Sequence, residues 1–459
     1  MKCSSSIVSR PYIPYNRPED FKKPYICRLA PFATGFTFEW FDNFAKAAKH
    51  ELFYKKRGSE KFESKALESA VYTVDGLDEN CEYEFKVVCE NDYESNTRLV
   101  RTAENPENTT VVNYLHPEDT QYIFSGKYLC SPSLARLESG KLIAGMDVFG
   151  QNMPQDLVIL FSSDDNGKSW KYLCDIHPFY WACLFVHKGV LYIFGLTTEY
   201  GNLQIAASYD EGKTFTKPTV ILYGSNLLCV NGGVHRAPMQ IVAHGGRLYT
   251  SCEYGSWTLG EHLPGVLSID ENADLLTAEN WHISGFLPYD GKMKEETVQR
   301  GDSIEGNIVK MPDGKLYNIL RWKRGKALAL EIDTENPDAL PKYSREIEMP
   351  VTTSMFRILP YKDGYLLVTN HKTPKTEVSV PSPYRNVLSA YFTKDFESYT
   401  LLKDIVNKED ISDREVGFQY PAVLSEGDRL YVEIRAAYNH ADNFHNSNYA
   451  LFAEVNLDE

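Results

Sequence analysis

A glycine-containing turn followed by a short strand of one design recurs six times along this chain of 459 residues. In each copy Leu follows the glycine within three residues, and the next residue is aliphatic or tyrosine. The glycines of the six copies are Gly140, Gly189, Gly246, Gly314, Gly364 and Gly427. They lie 49, 57, 68, 50 and 63 residues apart, a loose period typical of four-stranded propeller blades with unequal loops. We therefore predict an all-β fold with a six-bladed β-propeller, in which loops from every blade meet at one central channel.

The residues before these turns predict a small β-sandwich that precedes the propeller. Residues 1–23 are rich in Pro, Tyr and charge without periodicity, which indicates an extended segment. Residues 24–103 contain four alternating stretches that predict short strands, at 36–41, 51–55, 70–74 and 84–88. A polar passage from Thr102 to Thr110 indicates a linker, so linker and propeller together are predicted over residues 104–459.

The predicted sandwich resembles a fibronectin type III module. Gly76-Leu77 followed by Tyr83-Glu84-Phe85-Lys86-Val87 is similar to the tyrosine-corner segment of that module, and Trp40 stands where the module has its early core tryptophan. The resemblance implies a spacer or docking module rather than a sugar-binding one.

Two segments of the propeller region repeat one another closely. Ser163-Asp164-Asp165-Asn166-Gly167-Lys168-Ser169-Trp170 and Ser208-Tyr209-Asp210-Glu211-Gly212-Lys213-Thr214-Phe215 both read Ser-x-Asp-x-Gly-x-Ser/Thr-aromatic. The pattern predicts a hairpin turn in which Asp accepts backbone N–H groups and Gly takes a positive φ. It resembles the Asp-box of sialidase-like propellers, which implies a structural role at the blade periphery.

Further segments resemble sialidases in the same blade order. Leu142-Ile143-Ala144-Gly145-Met146-Asp147 is similar to the first-blade strand that ends in the acid/base aspartate. Ser303-Ile304-Glu305 begins a segment like the one with the glutamate that assists the nucleophile, and Arg321 ends it where a carboxylate-binding arginine stands. Phe418-Gln419-Tyr420-Pro421 resembles the segment with the nucleophilic tyrosine. Arg357 is a further candidate arginine.

The resemblance implies a double displacement at a sugar. Tyr420 attacks the anomeric carbon, Glu305 takes its proton, and Asp147 protonates the leaving oxygen and then activates water. Sialidases with a Tyr nucleophile are exceptions to the two-carboxylate scheme of most glycosidases. We expect Asp147, Glu305, Arg321 and Tyr420 to converge in the central channel.

One departure from the sialidase pattern concerns the substrate. Where sialidases have the first arginine of the carboxylate-binding triad, this chain has Cys130 in Cys130-Ser131-Pro132-Ser133-Leu134. A charge-assisted contact to a carboxylate is lost with the arginine. From this departure we expect a substrate other than sialic acid, with little or no activity on ordinary sialosides.

Other residues near predicted strand ends are candidates for binding the substrate. The candidates are Trp181, His187, His235, Arg236, Asn307, Arg435 and His445, and Glu199, Tyr200, Tyr254 and Trp257 lie at similar positions. Structural alternatives remain open: His187 as a hydrogen-bonded structural histidine, Arg435 as a cation at the core edge, Asp147 as a turn cap and Glu305 as a loop anchor.

Charge and cysteine content limit the partners. A net charge of -15 and a pI near 5.3 argue against nucleic acid and anionic membranes as partners. A pocket that binds an anion therefore needs its own arginines. The ligand that the sialidase resemblance implies is an oligosaccharide or glycoside. The nine cysteines contain no CxxC pair, which predicts buried reduced thiols without disulfides, zinc or another cofactor. The expected location is cytoplasmic, or secreted or periplasmic if a signal peptide was removed.

Three function classes remain. The first is an exo-acting glycoside hydrolase of the sialidase superfamily. The second is a propeller-type polysaccharide lyase, in which His235 or Tyr420 removes the C5 proton of a uronic acid. The third is a carbohydrate-binding propeller without turnover.

Overall fold

The computed structural model describes residues 23–45, 48–90, 93–225, 232–257, 259–288, 303–323, 325–371 and 385–458. Within these residues the chain forms 34 β-strands and one short 3-10 turn, Ala278–Asn280. The strands lie in eight sheets, of which two form a small sandwich and six form the blades of a propeller. The predicted all-β fold class is confirmed. The predicted extended segment over residues 1–23 lies outside the described residues, apart from Lys23.

The sandwich is built from strands β1 (Tyr25–Phe32), β2 (Gly35–Phe41), β3 (His50–Lys56), β4 (Glu63–Leu67), β5 (Val71–Val74), β6 (Glu82–Cys89), β7 (Tyr93–Glu94) and β8 (Arg98–Arg101). One sheet has the order β1-β2-β5 and the other β4-β3-β6-β7, with β8 also paired to β6. The alternating stretches produce strands because one face of each is buried, as in β6, where every second residue points into the core. Tyr83 Oη accepts a hydrogen bond from the Asp78 backbone N–H at 3.0 Å.

Each blade is an antiparallel sheet. Blade 1 contains β10 (Tyr128–Leu129), β11 (Ser133–Arg136), β12 (Leu142–Phe149), β13 (Val158–Ser163) and β14 (Lys171–Ile176). Blade 2 contains β15 (Tyr180–His187), β16 (Val190–Leu196), β17 (Leu203–Ser208) and β18 (Thr219–Leu222). Blade 3 contains β19 (Gly233–His235), β20 (Val242–His244), β21 (Arg247–Ser256), β22 (Glu261–Asp270) and β23 (Trp281–Ile283).

The other three blades follow the same plan. Blade 4 contains β24 (Ile304–Lys310), β25 (Leu316–Lys323), β26 (Lys326–Glu331) and β27 (Lys342–Glu348). Blade 5 contains β28 (Arg357–Tyr361), β29 (Gly364–Asn370), β30 (Val387–Thr393) and β31 (Thr400–Asn407). Blade 6 contains β32 (Gly417–Glu426), β33 (Arg429–Ala437), β34 (Tyr449–Asn456) and, from much earlier in the chain, β9 (Thr109–Tyr114).

The repeated glycine turns occupy one place in the architecture. Five of the six lie in the turn between an inner strand of a blade and the strand that pairs with it, as Gly140 does before β12 and Gly427 before β33, and Gly364 is the first residue of the second strand, β29. The six-blade prediction is therefore confirmed. β9 begins at Thr109, inside the passage predicted as a linker, because the closing strand of blade 6 comes from the start of the propeller.

The sandwich packs directly on the first and last blades. Tyr25 Oη donates to Asp175 Oδ2 at 2.8 Å, and Arg28 donates to the carbonyls of Val111 and Val112 in β9. The Tyr172 N–H donates to Glu39 Oε2 at 2.8 Å. These contacts are buried or half-buried, so the sandwich and propeller share a polar interface as well as an apolar one.

The described cysteines are all free thiols and, except for the half-buried Cys81, buried. Among the described residues no helix is both long and apolar enough to cross a membrane.

The two repeated Asp/Gly turns have the predicted hydrogen bonds. Asp165 Oδ1 accepts the Ser169 N–H at 2.9 Å, and Asp210 Oδ1 accepts the Thr214 N–H at 2.8 Å. Gly167 has a φ of 84°. The aromatic residues that end the motifs, Trp170 and Phe215, are buried between neighbouring blades.

Gly167→Ala is expected to lower the urea midpoint of unfolding more than Gly140→Ala. Both glycines have a positive φ, which costs an L-residue about 1–2 kcal/mol. A Cβ at Gly167 falls 2.0 Å from Phe452 Cε1 in blade 6, whereas a Cβ at Gly140 meets no atom within 4 Å. Overpacking adds about 1–3 kcal/mol at Gly167 only. Equal midpoints for the two variants would show that this contact between blades does not contribute to stability.

Candidate active site

A cavity of about 720 Å³ lies where the blades converge. Five of the six blades contribute lining residues, and the cavity is within the size range of small-molecule sites. Seven of the lining residues are aromatic: Tyr128, Phe149, Tyr180, Trp181, Tyr200, Trp257 and Tyr420. Aromatic faces combined with a few charged groups suit a ligand with both apolar and polar surfaces, as a sugar has.

Three cavity-lining residues owe their orientation to the same backbone feature. Trp181, Glu305 and Tyr420 lie in the innermost strands of blades 2, 4 and 6, each at a break in strand register, with φ values of 47°, 59° and 55°. A bulge re-aims the side chain of its extra residue, and strained left-handed residues cluster at functional sites. The bulges turn these three side chains towards the cavity.

Arg321 connects two residues that the sequence predicted to act together. Its Nη1 donates to Glu305 Oε2 at 2.9 Å and to Tyr420 Oη at 3.1 Å. Glu305 and Arg321 are almost fully buried, on paired strands of blade 4, whereas Tyr420 comes from blade 6. The structure therefore brings Glu305, Arg321 and Tyr420 into one cluster.

The electrostatics of Tyr420 keep its hydroxyl protonated at neutral pH. Burial, followed by the charge of Glu305, raises its pKa above the usual value, while Arg321, Arg385 and Arg435 partly offset this. The guanidinium carbons of Arg385 and Arg435 lie 5.7 and 5.1 Å from the centre of the Tyr420 ring. Tyr420 therefore needs a base before it can attack, and Glu305 is the carboxylate beside it.

Arg385 is a residue of this cluster that the sequence analysis missed. Its Nη2 donates to the Thr353 carbonyl at 2.6 Å, and its Nη1 donates to Gln419 Oε1 next to Tyr420. Burial lowers its pKa to about 10, so Arg385 is still a cation at neutral pH. It lies just before β30 and outside every motif, so no local pattern marked it.

Arg435 supplies a cation next to Cys130. Its Nη1 donates to Cys130 Sγ at 3.1 Å, its Nε to Ser447 Oγ at 2.8 Å and its Nη2 to the His445 carbonyl at 2.5 Å. Arg321, Arg385 and Arg435 all lie near Tyr420, so this side of the cavity has three cations although Cys130 stands where the first-blade arginine was expected. Three of the five N–H groups of Arg435 are used within the protein.

His445 lines the cavity beside Arg435, with its ring edge-on to Phe149 at 5.1 Å between centroids. Burial, together with the charges of Arg435 and Arg385, holds its pKa well below the usual value. His445 is therefore neutral at physiological pH and offers hydrogen bonds to a ligand rather than charge.

Asp147 lies behind the cavity wall rather than on it. The residue is 1% exposed, and its Oδ2 accepts the Trp181 N–H at 2.7 Å. Burial raises its pKa to about 7, while the bond from Trp181 and the charge of Arg435 act in the opposite direction. Asp147 thus holds the strained backbone of Trp181 in place, and Trp181 and Cys130, not Asp147, line the cavity.

A second wall contains a histidine paired with a buried carboxylate. His235 Nδ1 lies 2.8 Å from Glu253 Oε2, and Glu253 Oε1 accepts a hydrogen bond from Ser251. The His235 ring packs against Trp181 and His262, at 4.5 and 4.7 Å between centroids. The Glu253 contact fixes the orientation of His235 at the cavity.

Glu199 is a half-buried carboxyl group on the same cavity. Its Oε2 accepts from Gln155 Nε2 at 2.8 Å and its Oε1 from Trp257 Nε1 at 3.2 Å. Burial raises the pKa of Glu199 above the usual value, although these two donors and His235 oppose the shift. A raised carboxyl pKa in a cleft is a feature of general acids.

Four sequence candidates lie away from the cavity. Arg236 and Arg357 are fully buried, and their guanidinium groups donate to backbone carbonyls, including Met239 for Arg236 and Pro238 and Pro421 for Arg357. Asn307 joins blade 4 to blade 5 through Phe356 and Ile358. His187 is at the opposite end of β15 from Trp181 and contacts the Glu271 carbonyl at 2.7 Å. All four have structural contacts, contrary to the expectation that they bind substrate.

Comparison with known proteins supports the architecture. The family model described as "BNR repeat-like domain" matches residues 174–432, which is more than half of the chain. A search of curated protein sequences found no match.

Solved structures share the fold at low sequence identity. A Hadza microbial sialidase is 13% identical with a TM-score of 0.50, and the match covers 98% of this chain and 95% of that one. An α-L-arabinofuranosidase from Fusarium graminearum is 11% identical with a TM-score of 0.53, over 77% of this chain and 99% of that one. An α-L-arabinanase from Penicillium chrysogenum is 14% identical with a TM-score of 0.50, and the match covers 77% of this chain and 99% of that one.

Proposed function

This chain belongs to the BNR repeat-like family, and from that premise we propose that it is an exo-acting glycoside hydrolase whose substrate is not an ordinary sialoside. The structures that share its fold are named as a sialidase, an arabinofuranosidase and an arabinanase, which are glycosidases of different sugars. The observation that carries the proposal is the single Arg321 nitrogen that contacts both Glu305 and Tyr420 at the cavity.

Tyr420 is the proposed nucleophile. As its oxygen bonds to the anomeric carbon, Glu305 accepts the phenolic proton and the bond to the leaving oxygen breaks. Arg321 holds the two side chains together and balances the negative charge that passes between them. Water then attacks the anomeric carbon and gives a proton to the Glu199 carboxylate, while the bond from that carbon to the Tyr420 oxygen breaks and Glu305 returns its proton to the phenolic oxygen.

Glu199 is the proposed acid that protonates the leaving oxygen, in place of Asp147. Glu199 lines the cavity with a raised pKa, whereas Asp147 is covered by Trp181 and Cys130. An acid must reach the oxygen that it protonates, so accessibility decides between the two carboxyl groups. Asp147 is then a positioning residue for Trp181.

Arg321, Arg385 and Arg435 make the side of the cavity near Tyr420 cationic. Because the whole protein is acidic, this local group of guanidinium ions favours a sugar with a negatively charged or strongly polar substituent. Trp181 and Trp257 provide apolar faces on the other wall.

A polysaccharide lyase is the second candidate, favoured by one observation. His235 is held by Glu253 on the same cavity as Tyr420 and Arg435, and a base, a proton donor and a cation are what removal of a uronate C5 proton requires. The two chemistries leave different products, because elimination creates an unsaturated uronide that absorbs in the ultraviolet.

A panel of sialosides, uronic-acid disaccharides, arabinosides and rhamnosides tests the proposal. We expect hydrolysis of one class without ultraviolet-absorbing product, and at least about tenfold lower turnover of ordinary sialosides, because Cys130 replaces the first-blade arginine and Arg435 is largely engaged within the protein. Chromatography of the products with absorbance detection is the measurement. An unsaturated product would establish the lyase, binding without turnover would favour the non-catalytic propeller, and robust sialoside cleavage would refute the substrate claim.

We also propose that the sandwich is a fibronectin type III-like module and that the two Asp/Gly turns are Asp-boxes. The Tyr83 hydroxyl contact with Asp78 and the buried Trp40 support the first assignment. An experimental structure in which the Tyr83 hydroxyl points into solvent would contradict it.

A further inference from the structure

Four side chains converge at one end of the sandwich, far along the chain from every residue of the proposed active site. Asp42, His50 and Cys89 are buried, and one ligand atom from each lies within 4.8 Å of the others. Tyr93 joins them, since its hydroxyl donates to Asp42 Oδ2 at 2.7 Å. We call Asp42, His50, Cys89 and Tyr93 the Asp42 cluster.

Strand pairing places these residues together. His50 is the first residue of β3 and stands directly opposite Cys89, the last residue of β6, which in turn stands opposite Tyr93 in β7. Residues directly opposite one another on antiparallel strands point to the same face with Cβ atoms about 4.5–5.5 Å apart. Asp42 follows β2 immediately and reaches across from the other sheet.

The surroundings hold the ligand atoms in defined orientations. Asp42 Oδ1 accepts the N–H groups of Phe44 and Ala45, which leaves Oδ2 directed at His50 Nε2, 2.8 Å away. The His50 ring packs against Trp40, with 4.9 Å between centroids. Carboxylate ligands in metal sites are commonly oriented by such secondary hydrogen bonds.

The donor set selects the kind of ion. A thiol, an imidazole nitrogen and a carboxylate oxygen in a buried, compact group are the ligands of zinc, whereas calcium and magnesium prefer oxygen ligands alone. In tetrahedral zinc sites each ligand atom lies 2.0–2.3 Å from the metal, so two ligand atoms of one site must lie less than about 4.6 Å apart. The ligand atoms of Asp42, His50 and Cys89 all lie within 4.8 Å of one another, close to that limit.

We propose that the Asp42 cluster is a structural zinc site, with Cys89 Sγ, His50 Nε2 and Asp42 Oδ2 as ligands and the Tyr93 oxygen or a water as the fourth. Binding replaces the hydrogen bond between His50 and Asp42 by two metal bonds: the neutral His50 ring keeps its proton on Nδ1 so that Nε2 is free to bind, and the thiol proton of Cys89 is released to solvent. The ion ties β2, β3 and β6 together at an end of the sandwich. The proposal departs from the expectation, drawn from cysteine spacing, that the chain holds no metal.

Cobalt titration of the full-length, chelator-treated protein tests the proposal. One Co²⁺ per chain is expected to produce thiolate-to-metal charge-transfer absorption and the intense visible bands of a tetrahedral ion, and Zn²⁺ is expected to abolish both. Cys89→Ser should remove the charge-transfer absorption, and Asp42→Asn should weaken Co²⁺ binding at least about tenfold. Cys81→Ser, a half-buried thiol of the same sandwich outside the cluster, should leave the spectrum unchanged.

Thermal unfolding provides a readout that does not depend on the proposed glycosidase activity. Zn²⁺ should raise the Tm of wild type and of Cys81→Ser but not of Cys89→Ser, because only a folded site binds the ion. If Cys89→Ser does not fold, the effect of Zn²⁺ on the Tm of Asp42→Asn is compared with its effect on wild type instead. No stoichiometric Co²⁺ binding by wild type, or an unchanged charge-transfer band in Cys89→Ser, would overturn the proposal.

Discussion

Tyr420→Phe is expected to lower turnover by about 10³-fold or more on every glycoside that the wild-type protein hydrolyses, while the substrate still binds. The substitution removes only the oxygen that forms the bond to the anomeric carbon, and loss of a nucleophile affects the transition state far more than the ground state. The ring remains, so its contacts with Arg385 and Arg435 persist. The comparison of kcat with the Kd from calorimetry is the measurement.

Tyr365→Phe is the matched control for this experiment. It also removes one tyrosine hydroxyl from a propeller blade, but that hydroxyl donates to the Lys310 carbonyl at the outer turn, away from the cavity. Turnover by Tyr365→Phe should match wild type. Substantial turnover by Tyr420→Phe would refute Tyr420 as the nucleophile and leave Glu305 or Glu199 as candidates for that role.

Glu199→Gln is expected to reduce turnover of an unactivated glycoside by about 10²- to 10⁴-fold, the usual contribution of a general acid. Turnover of a glycoside of the same sugar with a nitrophenol leaving group should fall far less in this variant, because that leaving group departs without a proton. In wild type, kcat/KM should fall as the pH rises through the pKa of Glu199, since the protonated form is the active one. This alkaline limb should be absent from the Gln variant.

Asp147→Asn distinguishes the two candidate acids. Burial raises the pKa of Asp147 to about 7, so an Asp147 acid would also produce an alkaline limb, near neutral pH. If Asp147 only positions Trp181, the Asn variant keeps an oxygen that can accept the Trp181 N–H, and both the pH profile and the preference among leaving groups should be retained. Loss of the alkaline limb in Asp147→Asn, with its retention in Glu199→Gln, would reverse the assignment.

Local sequence patterns were sufficient for the architecture. Six glycine turns predicted six blades because each marks the same hairpin, and the alternating stretches before them predicted the strands of the sandwich. The turns at Asp165 and Asp210 could also be derived locally, since their hydrogen bonds join residues four apart. The meeting of Glu305, Arg321 and Tyr420 was predicted by segments that resemble sialidases, although the segments themselves do not encode the contact distances.

What only the tertiary structure decided is which side chains face the cavity. A one-residue bulge turns Trp181, Glu305 and Tyr420 inwards, whereas Arg236 and Arg357, equally plausible from their positions, are held by backbone carbonyls. Arg385 and the contact of Arg435 with Cys130, 305 residues away, follow no local pattern. Hydrophobic and turn periodicities are local, so they can be recognised in the sequence. Packing and strand register, in contrast, bring together residues that are distant in the chain, and they decide the side-chain direction at a bulge, the burial of Asp147 and the pairing of His50 with Cys89.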